Sequence, residues 1–129
     1  MTGGAPDGQD VGMDALATLR VMTDSMDAYD RADFGRLAEL HAEDVRWTGT
    51  EPGPWDCEKR EDVFGMFRAR MHRGIHVEFD EIQATPTHVT LTARIGDSPP
   101  VVSVFSIADG RITRVQDFDS RATAQESLV

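Results

Sequence analysis

At Gly74 the hydrophobic period of the chain changes from three-and-four to two, and that switch constrains what the chain can build. Before it, Leu16, Leu19, Met22, Met26 and Tyr29 recur as one stripe of an amphipathic helix, with Asp14, Arg20, Asp24 and Asp27 on the outer side. Asp33 stands as N-cap to a short second helix carrying Phe34, Leu37 and Leu40. Val63, Phe64, Phe67 and Met71 signal a third helix, which Gly74 closes. Between the second and third, Val45-Arg46-Trp47-Thr48 alternates and is rich in β-formers, so a short strand is expected there, ended by Thr50-Glu51-Pro52-Gly53-Pro54.

Beyond Gly74 four strands are expected, near 76–84, 87–95, 100–108 and 111–119, parted by Thr85-Pro86, Gly96-Asp97-Ser98-Pro99 and Asp109-Gly110. Connections this short make neighbouring strands antiparallel, so helices followed by a sheet give an α+β layout. Val89, Leu91, Ala93 and Ile95 share one face of their strand. In the next, Val101, Phe105 and Ile107 lie on one face and Val102 and Val104 on the other, the pattern of a central strand covered on both sides. Helices supply one cover, and a second subunit is the candidate for the other.

Composition narrows the class. A chain of 129 residues buries roughly two thirds of its unfolded surface and needs no metal or disulfide staple. Its one cysteine, Cys57, cannot close an internal disulfide, which points to a reducing compartment, the cytoplasm by default. No apolar run approaches the ~20 residues that span a bilayer. The net charge of -10 repels a phosphate backbone, so neither nucleic acid nor membrane is expected as a partner. Residues 1–12 hold almost nothing apolar and are expected as a disordered leader to a single domain over 13–129.

The stretch Asp33-Phe34-Gly35-Arg36-Leu37-Ala38-Glu39-Leu40-His41-Ala42-Glu43-Asp44-Val45-Arg46-Trp47 and the closing segment Asp109-Gly110-Arg111-Ile112-Thr113-Arg114-Val115-Gln116-Asp117-Phe118-Asp119 carry a resemblance. With the order of elements, they resemble the nuclear transport factor 2-like superfamily and, within it, the SnoaL-like proteins. The resemblance implies a cone: a curved antiparallel sheet wrapped around three N-terminal helices, enclosing a pocket for a small apolar organic molecule, often in a homodimer. It implies cyclase, isomerase or hydrolase chemistry without a cofactor, or a non-catalytic binding or accessory module on the same scaffold.

In the last strand Thr113, Val115, Asp117 and Asp119 share one face and Ile112, Arg114, Gln116 and Phe118 the other, and parity does not say which is inside. If Asp117 faces the cone, desolvation raises its pKa and suits it to proton transfer. The SnoaL-like cyclases are similar in using an aspartate near the chain's end as acid and base, and Asp117 matches it. Otherwise Asp117 is solvated or partners Arg94, Arg114 or Arg121. Trp47 is expected to border the pocket, and Trp55 to anchor the loop after the first strand. Tyr29 is a candidate oxyanion donor. Phe67 and Met71 are candidates for pocket lining because the family's pocket lies against the third helix.

His72 and His76 have the spacing of a ligand pair, but Gly74 breaks the helix between them, so no metal site is expected. His41 closes the second helix, where a cation complements the dipole. Cys57 has no local base that would make it a nucleophile. A ketosteroid-isomerase-like site needs a phenol and a carboxylate base where this chain aligns Ser25 and Gly49. A limonene-epoxide-hydrolase-like site needs Asp two residues after Arg on a strand, and here Arg94, Arg111 and Arg114 are followed at that spacing by Gly96, Thr113 and Gln116. Both activities are disfavoured.

Overall fold

The computed structural model of the chain describes residues 4–51, 53 and 56–128, with side chains from residue 14 onward. In chain order the elements are α1 (Gly4–Asp30), α2 (Phe34–Leu40), β1 (His41–Thr48), α3 (Arg60–His72), β2 (Val77–Ala84), β3 (His88–Ile95), β4 (Val101–Ala108), β5 (Arg111–Phe118) and α4 (Arg121–Glu126). Residues 4–12, expected in a loose leader, carry helical backbone here. Pro6 falls in the first turn, where no intrahelical N–H bond is lost.

The buried side of α1 is Thr18, Met22, Ser25 and Ala28, whereas Leu16 is 64% exposed. The inner stripe is therefore rotated from the one the apolar spacing marks. Thr18 turns inward because its hydroxyl reaches the Thr85 carbonyl at the β2–β3 turn, which also satisfies it. At the other end Ala32, with φ 53°, reverses the chain, and Asp33 caps α2 by accepting from the Arg36 N–H at 3.1 Å.

The sheet is open and five-stranded, in the order β1-β5-β4-β3-β2. The meander from β2 to β5 is antiparallel throughout, but β1 pairs parallel with β5, so the sheet is mixed rather than wholly antiparallel. No hairpin joins β1 to β5, and the chain between them includes α3 and three strands, so tight-turn geometry does not set their direction. Between β4 and β5 the pairing passes from Ser106 with Arg114 to Ile107 with Ile112, leaving Thr113 as an extra residue. This β-bulge lets both Ile112 and Val115 reach the core although their parities differ.

One core fills the space between the helices and one sheet face, with Leu37, Val63, Phe64, Phe67, Leu91, Phe105 and Val115 among its members. A second, smaller one lies on the other face, where Val102, Val104 and Phe118 pack with Ala124. Its cover is α4, an element not expected from the sequence, begun by the Ser120 side chain accepting from the Thr123 N–H. The outer side of β4 is thus covered by the chain itself at these positions.

Candidate active site

Trp47 is fixed by its backbone before its side chain does anything. It pairs with Val115 of β5 on one side, and on the other exchanges two hydrogen bonds with Cys57, N–H to carbonyl at 2.9 Å and the reverse at 2.7 Å. Asp56 holds the returning loop by accepting from the Gly49 N–H at 3.0 Å. The indole then stands edge-on to Phe67 and Phe105, with ring centroids 6.0 and 5.6 Å away.

The indole N–H donates to Asp117 Oδ2 at 3.1 Å. From the neighbouring strand, in register with Asp117, the Ser103 hydroxyl donates to Oδ1 at 2.6 Å. The inward face of β5 at this end is therefore that of Val115 and Asp117. Burial pushes the Asp117 pKa up, and the hydrogen bonds from Ser103 and Trp47, with the more distant Arg70 charge, oppose that rise without cancelling it. The surface arginines are engaged elsewhere: Arg94 pairs with Glu78 and Asp80, Arg121 with Glu81, and Arg114 donates to Gln116. No arginine forms an ion pair with Asp117 among the described residues.

In front of this group lies a cavity of about 60 Å³. Its walls include Met22, Tyr29 and Trp47, with Phe67, Leu91 and Phe105. Phe79, 38% exposed, stands where it meets solvent. Of the residues expected from the sequence, Trp47, Tyr29 and Phe67 line it. Met71 packs against the core instead, and Trp55 lies outside the described residues. Asp117 is not itself a wall residue: Ser103 and Trp47, its two donors, stand between it and the space.

Among the wall residues that escaped sequence reasoning are three polar ones. Ser103 is the polar interruption in Val101-Val102-Ser103-Val104-Phe105, on the same face as Phe105, and that interruption was the available signal. Arg70 lies three residues after Phe67, where the apolar pattern favours Met71, four residues after it. His41 is the third, and it corrects an expectation. It closes α2 as its C-cap, as expected, but not as a cation: it is 1% exposed at the head of β1, and burial pushes its pKa down. Its Nδ1 lies 2.8 Å from the Leu37 carbonyl, an acceptor, so Nδ1 carries the proton of a neutral ring. Cys57 is buried, which raises its thiol pKa and keeps it protonated.

The geometry can be set beside known proteins. The SnoaL-like domain model matches residues 22–115, ending two residues short of Asp117. Among curated proteins no sequence matches. Among solved structures, an NTF2-like protein from Burkholderia xenovorans superimposes with a TM-score of 0.65 at 15% identity, over 81% of this chain and 89% of that one. A Sinorhizobium meliloti protein described as a polyketide cyclase gives 0.63 at 20% identity, over 76% and 93%. An LEH-like epoxide hydrolase from M. tuberculosis gives 0.64 at 20% identity, over 88% and 90%. At these identities the structures share a fold and no more. The helices and the curved mixed sheet share their fold with these NTF2-like structures, and the family model covers well over half of the chain: the chain belongs to the SnoaL-like domain family.

Proposed function

We propose that the chain is a small-molecule enzyme of the cyclase, isomerase or hydrolase type, in which Asp117 moves a proton at the end of an apolar cavity. The observation that carries this is the Asp117 carboxyl itself, desolvated, raised in pKa and held by Trp47 and Ser103. A substrate carbon next to a carbonyl gives up its proton, and the electron pair of the C–H bond moves to the carbonyl oxygen. Ser103 faces the space, so its hydroxyl takes the substrate's proton while passing its own to Asp117 Oδ1; return of the proton at another atom completes the cycle. The apolar walls keep water from quenching the enolate.

The second reading is a non-catalytic binding module, and the observation in its favour is that Asp117 stands behind the wall rather than in it. Proton–deuterium exchange separates the two. With 2-butanone in D2O followed by NMR, the enzyme reading expects exchange faster than in buffer, and Asp117→Asn and Ser103→Ala each cut it by about 100-fold, within the usual range for acid–base groups. Saturable binding of 2-butanone with exchange no faster than in buffer would instead establish the binding module.

We further infer a cytoplasmic homodimer joined through the part of the sheet's outer face that α4 leaves uncovered. The single cysteine supports the compartment, and no described helix is long and apolar enough to cross a membrane. Light scattering should give twice the 14.3 kDa chain mass, and a monomer at high micromolar concentration refutes the dimer.

A further inference from the structure

The acid–base reading uses Asp117, Ser103 and Trp47 and leaves other polar groups of the same cavity without a task, Arg70 and Tyr29 among them. Arg70 is the one charged side chain among its described walls. It makes no ion pair among the described residues, and its guanidinium donates to Met66 Sδ at 3.5 Å, a weak acceptor. Tyr29 is the other. Its hydroxyl is buried with no hydrogen bond of good geometry to a described residue, and its ring is edge-on to Phe67 at 5.0 Å. The two are neighbours: the Arg70 guanidinium acts on the Tyr29 phenol both by its charge and as a hydrogen-bonding side chain.

A half-buried guanidinium in an apolar wall, with no carboxylate paired to it, has donors free for an anion that enters the cavity. Asp117 does not pair with the guanidinium: the Arg70 charge reaches the carboxyl, but no ion pair joins the two. A planar fork of N–H donors beside a phenolic O–H is the donor set that suits a carboxylate or an acidic enol oxygen. The net charge of -10 disfavours anions over the molecule as a whole, so a site for one needs a local cation of this kind.

We infer that Arg70 and Tyr29 form an anion subsite, and that the ligand of this cavity is a small organic acid. Its acidic oxygens are held by the Arg70 guanidinium and the Tyr29 hydroxyl, and its apolar body lies against Met22, Leu91 and Phe105. The inference rests on the reading above only in taking the cavity as a ligand site, and it does not require Asp117 to be catalytic.

A matched pair of probes small enough for the cavity tests it: propionate and its neutral amide, propionamide, by titration calorimetry at pH 7.5. The wild-type chain should bind the acid about tenfold or more tightly than the amide, as expected of hydrogen bonds to a charged group. Arg70→Met should abolish that preference by weakening the acid alone, and Tyr29→Phe should reduce it. Arg70→Lys keeps the charge without the fork and should retain part of the preference, which guards against misfolding of the Met variant. Equal binding of the two probes by the wild type, absence of binding by either, or a preference that survives Arg70→Met overturns the subsite. Asp117→Asn should keep the preference for the acid. An intact preference with exchange indifferent to Asp117 would sink the acid–base reading alone, and Asp117-dependent exchange with no preference would sink the subsite alone.

Discussion

At Asp117 burial favours the neutral acid while Ser103 and Trp47 favour the carboxylate, and burial prevails. The folded chain therefore keeps this proton to higher pH than the unfolded chain does. Folding binds protons in that window, so the contribution of Asp117 to stability falls as pH rises from the unfolded carboxyl value through the raised folded one. Asn cannot ionise, and it retains a carbonyl for the Trp47 N–H and an amide for the Ser103 oxygen. Asp117→Asn is thus expected to melt a few degrees above the wild type at pH 8, with the gap closing near pH 4. Calorimetry at the two pH values checks this; a variant less stable at pH 8 would show that the hydrogen bonds to the carboxylate outweigh its desolvation. The sequence marks Asp117 and Trp47 as chemistry-bearing residues on its last and first strands. Their meeting was not legible there, because it joins positions 70 residues apart.

The elements divide by what sets them. The β4–β5 hairpin is local: Asp109 and Gly110 take φ of 55° and 76°, the two positive values that a tight turn of this hand needs. Gly110→Ala puts a Cβ into that conformation and should cost about 1 kcal/mol, read as a lower melting temperature. No other atom lies within 4 Å of the added carbon, so any larger loss would point to more than backbone strain. The bulge at Thr113, a few residues on, is not local, since it is defined only by the pairing of β5 with β4. Parity counted along the sequence left the inward face of β5 open, and the bulge is why Ile112 and Val115 both turn inward. The rotation of α1 has the same origin: Thr18 is polar, and only the Thr85 carbonyl of a distant turn makes its burial favourable.

Over the whole molecule the sheet carries a core on each face. The helical half covers one, and α4 covers Val102, Val104 and Phe118 on the other. Ending the chain after Asp119 should uncover that smaller core, lower the melting temperature by several degrees and promote association through the exposed strands. Sedimentation and thermal scans of the shortened chain check both effects, and unchanged values would mean that α4 adds nothing to the fold. The order of helices and strands as far as β5, the antiparallel meander and the Asp33 cap followed from the sequence by itself, because periodicity, turn residues and caps act within a few residues. The parallel docking of β1, the cover supplied by α4, and the gathering of Ser103, Arg70 and Tyr29 around one cavity with Asp117 behind it were decided only by the tertiary structure. They depend on the register and packing of segments far apart in the chain, where the burial of each side chain is set by partners that no local pattern names.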